Sequence, residues 1–222
     1  MSETSAALVS AATRVAAVPY LPEIRLHQAD PGADLWFLTG GAYRSDSRPP
    51  FWAFAWAGGR ALARYVLDHP ELVAGRSVLD LAAGSGIVGI AAARAGAASV
   101  LAVDVDPTAV AAIGLNAAAN GVRVTAMVAD PLAAGAPLAD VLLAGDVFYS
   151  AAMAQRMSAL LRRVARNGVH VLVGDADRGY LPQRLFRALD VVSVPTPLAL
   201  EGRTERSATI WEVPAGRVAQ GP

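Results

Sequence analysis

The 222-residue sequence contains no cysteine and no lysine. Without cysteine the chain can form no disulfide, use no thiolate nucleophile and bind no metal through sulfur. Without lysine it can provide neither a Schiff-base amine nor a lysine base from its own side chains. The absence of cysteine also fits a reducing compartment, and we therefore expect a cytoplasmic location.

Net charge and long apolar runs are missing as well. The 19 basic and 19 acidic residues balance, so no overall field draws the protein toward nucleic acid or an anionic membrane, and we expect neither as a partner. No apolar run approaches the roughly 20 residues that cross a bilayer. The amino-terminal segment carries Glu3 and, within a weak alanine-rich run, Arg14, which predicts a short helix and not a signal peptide.

Histidine is scarce, with three in the whole chain. His27, His69 and His170 stand far apart, and none has a second ligand at metal-binding spacing. We predict a structural role for each of them and no metal site.

Apolar sequence is abundant enough for one large core. Hydrophobic residues make up 54% of the chain and charged residues 17%, which predicts a single domain. Within it we distinguish an N-terminal helical and loop extension (1–50), a cofactor-binding and catalytic core (51–213) and a tail (214–222).

Short β-rich runs alternate with helical segments from residue 76 onward. The predicted strands, first to fifth, are RSVLDLA, SVLAVDVD, RVTAMVAD, ADVLLAGDVFY and VHVLVGDA. The first helix between them stops at Gly96. The second begins at Pro107 and ends near Asn120, and a later helix covers Ala151 to Arg166. This alternation of nearly continuous apolar strands with helices predicts an α/β fold with a parallel sheet covered on both faces.

The last part of the chain departs from that alternation. VVSVPTP and SATIWEV are two strand-like runs, and the connection from Leu198 to Arg206 between them has no helical periodicity. Because a parallel crossover needs a dozen or more residues, we predict an antiparallel hairpin.

A glycine-rich segment, VLDLAAGSGIVGIAAARAG, connects the first strand to its helix. Gly84, Gly86 and Gly89 form a G-x-G-x-x-G pattern, which lets the backbone approach a nucleotide-like ligand. A dinucleotide and S-adenosylmethionine both fit such a turn. Asp80, at the end of the strand, would repel a pyrophosphate but would attract the ammonium and sulfonium of S-adenosylmethionine.

Two further carboxylates follow the next strands. Asp104 ends the second strand, where it can accept hydrogen bonds from both hydroxyls of a ribose, which either cofactor contains. Asp106, beside Pro107, is interpreted as a helix cap. Asp130 ends the third strand, where it either takes the exocyclic amine of adenine or is an ordinary loop residue before Pro131.

The segments VLDLAAGSG, AVDVDP and VAD, in this order, resemble the class I, seven-β-strand S-adenosylmethionine-dependent methyltransferases. The resemblance implies a Rossmann-like seven-stranded sheet, mostly parallel, with an antiparallel last strand inserted beside the fifth and helices on both faces. It implies S-adenosylmethionine as the cofactor. Members of the family usually have glycine where this chain has Ala82. The implied cofactor-binding residues so far are Asp80, Ala82, Gly84, Gly86, Asp104 and Asp130.

A closer resemblance covers nearly all of the chain from Pro22 to Val213. PPFWAFAWAGGRALARYVLDHPELVAGRSVLDL and LLAGDVFYS are similar to the group of lysine methyltransferases that act on the electron transfer flavoprotein β-subunit. This implies a protein-lysine N-methyltransferase whose partner is an acceptor protein carrying a lysine, such as that subunit. It implies catalytic roles for Asp146 and Tyr149, in an Asp-x-x-Tyr motif after the fourth strand, and contact between Trp56 and the cofactor.

Aromatic residues near these motifs allow two interpretations. Trp52, Trp56, Phe148 and Tyr149 can together form the wall of a site for a cation through cation–π attraction. Alternatively, Trp52 and Trp56, four residues apart, form one buried stripe of a helix. The position of Trp52, in the site or in the core, stays open at this point.

Three other functions are compatible with parts of the sequence. The chain could methylate a small amine or another protein, with specificity set by loops such as 35–50 and 177–182. An NAD(P)-binding reductase would explain the G-x-G-x-x-G pattern, but Asp80 and the terminal hairpin argue against it and no hydride-transfer partner is visible. A catalytically silent binding module is disfavoured because all four acidic and tyrosine residues that such a site needs are present: Asp80, Asp104, Asp146 and Tyr149.

Overall fold

The computed structural model describes residues 3–30, 32 and 49–215. It begins with the helix α1 (Glu3–Ala12), which confirms the short amino-terminal helix. Next comes an antiparallel hairpin of β1 (Arg14–Val18) and β2 (Leu21–Gln28), which was not predicted from the sequence. Most of the loop 35–50 lies outside the described residues, and the division of the chain into extension, core and tail stays a prediction.

The hairpin is attached to the rest of the protein through two asparagines. Asn116 Oδ1 accepts a hydrogen bond from the His27 backbone N–H at 2.7 Å, and Asn120 exchanges hydrogen bonds with both backbone groups of Arg25. Ile24 and Leu26, two residues apart, place their side chains on the same side of the strand and are fully buried. The hairpin therefore packs its apolar side against the main core.

The main sheet has seven strands in the order β5-β4-β3-β6-β7-β9-β8. The first five are parallel, and they correspond to the five strands predicted from the alternation. The last strand, β9, lies antiparallel between β7 and β8. This confirms the predicted hairpin and the insertion of the last strand beside the fifth. The strands are β3 (Ser77–Leu81), β4 (Ser99–Asp104), β5 (Thr125–Val128), β6 (Val141–Gly145), β7 (His170–Asp175), β8 (Arg187–Pro195) and β9 (Glu205–Glu212).

Helices cover both faces of this sheet, as predicted. α2 and α3 pack on one face and α6 on the other. A four-residue helix, α7, lies in the connection between β8 and β9, where the sequence shows no helical periodicity. The helices are α2 (Ala57–Asp68), α3 (Ile87–Arg94), α4 (Pro107–Ala119), α5 (Pro131–Ala134), α6 (Ala151–Arg166) and α7 (Leu198–Glu201). No helix among the described residues is long and apolar enough to span a membrane.

The central strands are apolar on both sides because both sides are covered. Along β6, Val141 and Leu143 face the cluster under α2 and α3, whereas Leu142 and Ala144 face the cluster under α6. All four are buried. This is why these strands read as continuous apolar runs and not as alternating ones.

Candidate active site

A crevice forms where the carboxyl ends of β3, β4 and β5 meet the end of β6. From β3 the chain continues outward to β4 and β5, and it then returns to place β6 on the opposite side of β3. In open α/β sheets, ligands bind where the strand order reverses in this way. The fold thus brings the glycine-rich turn and the predicted acidic residues to the same edge of the sheet.

The turn after β3 passes through the left-handed backbone region three times. Ala82, Gly84 and Gly86 have φ values of 53°, 54° and 77°. A Cβ costs roughly 1–2 kcal/mol in this region, so the backbone at Ala82 is strained. At Gly86 a Cβ would also lie 3.1 Å from the Ile113 side chain. The turn therefore depends on its left-handed backbone conformations and on the absence of a side chain at Gly86.

Asp80 lies beneath this turn and does not line the crevice. Its side chain is buried, and Oδ2 accepts a hydrogen bond from the Gly89 N–H in α3 at 2.8 Å. Burial raises the pKa of Asp80 to about 7, although the Gly89 N–H opposes the shift, and the nearby Asp104 adds to it. Its predicted contact with a cationic cofactor group stays a prediction.

Asp104 connects the glycine-rich turn to the end of β4. Oδ2 accepts a hydrogen bond from the Gly84 N–H at 2.8 Å, and Oδ1 accepts one from the Asp106 N–H at 3.0 Å. Burial raises its pKa, against these backbone hydrogen bonds. Each carboxylate oxygen retains a second lone pair for another donor, so Asp104 can still accept from a ligand hydroxyl.

One cleft contains four of the predicted site residues. Its lining is mostly apolar and includes Val103, Leu132 and Met153, together with the predicted residues Ala82, Asp104, Asp130 and Tyr149. Asp80, Gly84, Gly86, Trp56 and Asp146 do not belong to that lining.

The two acidic residues near helix starts act as caps. Asp106 accepts a hydrogen bond from the Thr108 N–H at 2.7 Å at the start of α4, which confirms its interpretation as a cap. Asp130 accepts one from the Leu132 N–H at 2.9 Å at the start of α5 and also lines the cleft. The loop role and the ligand role of Asp130 are therefore compatible.

A group of three aromatic rings, Phe51, Trp56 and Tyr149, lies beside the cleft; we call it the aromatic wall. Trp56 Nε1 donates to the Phe51 carbonyl at 2.9 Å, and the centres of the two rings are 5.8 Å apart. The Phe51 and Tyr149 ring centres are 6.0 Å apart. Phe51 was not predicted, and the only signal for it was its place in the aromatic segment FWAFAW.

Two of the aromatic residues considered for a cation site, Trp52 and Phe148, lie in the core. Trp52 is buried among Val9 and Phe54, and Phe148 is buried against Phe186 with ring centres 5.6 Å apart. The alternative of one helical stripe was also wrong, because Trp52 lies in a short 3-10 turn and Trp56 precedes α2. Phe54 has extended backbone between them, which breaks the helical period.

Asp146 follows β6 and lies against the first turn of α2. Its φ is 55°, a left-handed conformation that is uncommon outside glycine. Oδ2 accepts a hydrogen bond from the Gly59 N–H at 2.9 Å, where the helix dipole favours a negative charge. Burial raises the pKa of Asp146, while Arg178 and the Gly59 N–H hold it down.

Glycines allow α2 to start this close to the strands. A Cβ on Gly174 would lie 2.2 Å from the Gly58 carbonyl oxygen, and one on Gly145 would lie 2.7 Å from Gly59 Cα. Backbone therefore packs directly on backbone at the ends of β6 and β7. This close packing places the first N–H groups of α2 within reach of Asp146.

Four charged residues, which we call the charged cluster, surround the start of α2: Asp146, Arg178, Glu201 and Arg206. Arg178 donates from Nε to Asp146 Oδ1 at 3.1 Å, and its Nη2 lies 3.0 Å from that oxygen and 3.2 Å from Glu201 Oε2. The Arg178 guanidinium carbon lies 5.5 Å from the centre of the Trp56 ring. No role was predicted for Arg178, Glu201 or Arg206.

The histidines have the structural partners that we expected. His27 Nδ1 pairs with Thr13 Oγ1 at 3.1 Å, His69 Nδ1 with the Tyr65 carbonyl at 2.9 Å, and His170 Nε2 with Glu212 Oε1 at 3.1 Å. Within the part of the chain that the structure describes, no group of histidine and acidic residues could hold a metal ion.

Comparison with known proteins identifies the family. The family described as ribosomal protein L11 methyltransferase (PrmA) matches residues 61–174. The electron transfer flavoprotein beta subunit lysine methyltransferase of Rattus norvegicus is 34% identical over 200 residues, covering 86% of this chain and 76% of the relative. The protein of the same name from Homo sapiens is 37% identical over 199 residues, covering 86% and 74%.

A solved structure supports the fold independently. The 16S rRNA N2 G1207 methyltransferase of T. thermophilus, in complex with AdoMet and guanosine, superposes with a TM-score of 0.56 at 19% identity. The match covers 90% of this chain and 50% of that one.

The sheet order, the glycine-rich turn and the family match define an S-adenosylmethionine-dependent methyltransferase, and S-adenosylmethionine is its cofactor. Within this class, the chain belongs to the family that includes the electron transfer flavoprotein beta subunit lysine methyltransferases. The alternatives of an NAD(P)-binding reductase and of a silent binding module are no longer supported.

Proposed function

We propose that the protein transfers a methyl group from S-adenosylmethionine to a lysine side chain of an acceptor protein related to the electron transfer flavoprotein β-subunit. The observation that carries this proposal is the Asp-x-x-Tyr motif after β6. Tyr149 lines the cleft and Asp146 lies at the start of α2, close to the aromatic wall. The sequence identity of 34% and 37% to these lysine methyltransferases, over 86% of the chain, supports the choice of acceptor.

The residues of the cleft fit the adenosine part of the cofactor. Apolar side chains provide a surface for a flat base, Asp104 has lone pairs for ribose hydroxyls, and Asp130 has them for an amine. We assign cofactor binding to Asp104 and Asp130, to the turn from Ala82 through Gly84 to Gly86, to Trp56, and to Asp80 beneath the turn. When bound, the cofactor supplies a methyl group that a neutral amine can attack.

The chain's own residues prepare the acceptor amine. A lysine ammonium has an ordinary pKa near ~10.4 and must lose a proton before attack, which an apolar surrounding favours. The aromatic wall offers ring faces that attract a cation. Asp146 orients the amine and stabilises the positive charge that develops on its nitrogen. Tyr149 contributes a hydroxyl and a ring face at the same place.

Methylation of the purified electron transfer flavoprotein β-subunit tests the acceptor. We expect a mass increase of one or more methyl groups on one lysine when protein, cofactor and subunit are mixed, and none when that lysine is replaced by arginine. If the subunit stays unmodified while labelled cofactor marks a small amine or another protein, the acceptor is wrong.

Binding of the cofactor is tested separately. S-adenosylhomocysteine should raise the thermal unfolding temperature, and NAD and NADP should not, because stabilisation reports a ligand that binds the native state.

A cytoplasmic location stays a prediction, and fractionation of the source cells checks it.

A further inference from the structure

Asp146 is held from two sides, and each side uses a different oxygen. Gly59 donates to Oδ2, whereas both nitrogens of Arg178 approach Oδ1. A carboxylate has about four lone-pair positions, so Oδ2 retains one for a further donor. Arg178 and Gly59 thus hold different oxygens of the same carboxylate.

Arg178 is also the main positive charge acting on Asp146. The other charged groups near this carboxylate are Glu201 in α7, Asp175 at the end of β7 and Arg60 in α2. Burial raises the pKa of Asp146 and Glu201 raises it further, while Arg178 is the largest influence in the opposite direction. Without Arg178, two negative neighbours and an apolar surrounding would favour the protonated form.

Glu201 anchors Arg178 from the far side. Its side chain is fully buried and pairs with Arg178 at 3.2 Å and with Arg206 at 2.9 Å. Glu201 Oε1 accepts a hydrogen bond from the Ala57 N–H at the start of α2. The guanidinium of Arg178 is therefore located between two carboxylates that both bind the same helix end.

We propose that Arg178 is a positioning residue of the methyl-transfer site, which holds the Asp146 carboxylate in one orientation and charged, and that Glu201 anchors it. This rests on the proposed function for its catalytic meaning, but the effect on Asp146 does not depend on the acceptor. A merely structural arginine would change the stability of the protein without changing the protonation of Asp146.

Carboxyl-carbon NMR titration of the whole protein, labelled on aspartate, measures this effect directly. The Asp146 signal is the one that disappears in Asp146→Asn. In Arg178→Gln we expect its titration midpoint to rise by at least ~1 pH unit, the lower range for loss of an adjacent opposite charge. Arg178→Lys keeps the charge and should stay close to the unmodified protein, and it remains informative if the glutamine variant does not fold.

A matched control removes a charge elsewhere. Arg184 is exposed on the turn Gln183–Leu185, six positions along the chain from Arg178, and Arg184→Gln should leave the Asp146 midpoint unchanged. An unchanged midpoint in folded Arg178→Gln would overturn the proposal.

Kinetics with the electron transfer flavoprotein β-subunit then tests the catalytic meaning. In Arg178→Gln we expect kcat to fall with little change in S-adenosylhomocysteine affinity, and the acid limb of the pH–rate profile to move to higher pH. Faster transfer in that variant would instead make Arg178 an obstacle to the acceptor and contradict the proposal. If the unmodified protein does not methylate this subunit, the proposed acceptor fails, while the NMR titration still decides the role of Arg178.

Discussion

Asp104 accepts a hydrogen bond from the Gly84 N–H at 2.8 Å, which ties the glycine-rich turn to the end of β4. The same carboxylate accepts from the Asp106 N–H and lines the cleft. One side chain thus shapes the cofactor site and is proposed to bind the cofactor's ribose. Its removal should therefore affect both stability and affinity.

In Asp104→Ala we expect the Kd for S-adenosylhomocysteine to rise at least ~10-fold, because charge-assisted hydrogen bonds to the ligand are lost. Two backbone donors also lose their acceptor, so the free energy of unfolding should fall by roughly 1–3 kcal/mol. Isothermal titration calorimetry and denaturant unfolding measure the two effects.

Asp106→Ala is the matched control for this prediction. It removes the cap of α4 and should cost about 1 kcal/mol of stability, with no change in affinity because Asp106 is not in the cleft lining. Equal affinities in both variants would remove Asp104 from the proposed cofactor site.

Ala82 occupies a backbone conformation that suits glycine, with φ 53°. Ala82→Gly should relieve roughly 1–2 kcal/mol of strain and lose about 0.4–1 kcal/mol through the more flexible unfolded chain. We expect a net gain of about 0–1.6 kcal/mol in denaturant unfolding, from the difference of these two effects. Ala83→Gly, next to it and without a positive φ, should be destabilising, and a gain there as well would contradict the explanation by strain.

The parts of the structure that could be predicted from sequence are those with local signals. The strands of the sheet were visible because residues such as Leu142 and Leu143 are buried on opposite faces. The starts and ends of the helices could be predicted from residues adjacent in the sequence, as with Asp106 and Pro107 at the start of α4. Asp104 could be predicted at the site because the carboxyl ends of parallel strands converge, whereas Tyr149 was implied by the resemblance to the methyltransferase group.

The parts that were missed depend on contacts between distant segments. Arg178 and Glu201, which are hydrogen-bonded, lie 23 positions apart in the sequence, and Glu201 and Ala57 lie 144 apart. No local sequence pattern therefore predicts either contact. The positions of Trp52 and Phe148 could not be decided from sequence because adjacent aromatic residues face opposite ways in these turns. Phe148 enters the core while Tyr149, next to it, lines the cleft.

Proton release on cofactor binding tests the proposed role of Asp80. Its pKa is raised to about 7 by burial, so near neutral pH it is partly protonated in the folded protein. If a cationic group of the cofactor lies near it, as proposed, binding should lower its pKa and release a proton. Calorimetry of S-adenosylmethionine binding in buffers with different ionisation enthalpies, at pH 7, measures that release.

Asp80→Asn should abolish the proton release, and the absence of any release from the unmodified protein would argue against a cofactor cation near Asp80.

The raised pKa of Asp80 also affects the stability of the protein. Because the folded pKa exceeds the unfolded value, the contribution of Asp80 is fully present below the unfolded pKa of about 3.8 and is lost as the pH rises through about 7. Unfolding free energies should therefore fall less between pH 4 and pH 7 in Asp80→Asn than in the unmodified protein.

Asp146→Asn tests the proposed chemistry of methyl transfer most directly. Asparagine keeps the shape and still offers an oxygen to the Gly59 N–H, but it removes the charge that would stabilise the attacking amine. We expect methyl transfer to slow by at least ~100-fold, the lower range for one well-placed catalytic group, while S-adenosylhomocysteine affinity changes little. Single-turnover rates with the acceptor and calorimetry of the same preparation measure these two quantities.

The structure adds a second consequence, because the substitution also leaves Arg178 beside a neutral group. Breaking a fully buried ion pair by removing one partner costs roughly 3–5 kcal/mol. The loss here should be smaller, because the Arg178 and Asp146 side chains are 20% and 10% exposed and Glu201 still pairs with Arg178. Denaturant unfolding therefore accompanies the kinetics, so that rates are compared only where the variant is folded. Near-normal turnover in a folded variant would reduce Asp146 to a structural partner of α2 and Arg178, and a collapse of cofactor affinity would place it in the cofactor site instead.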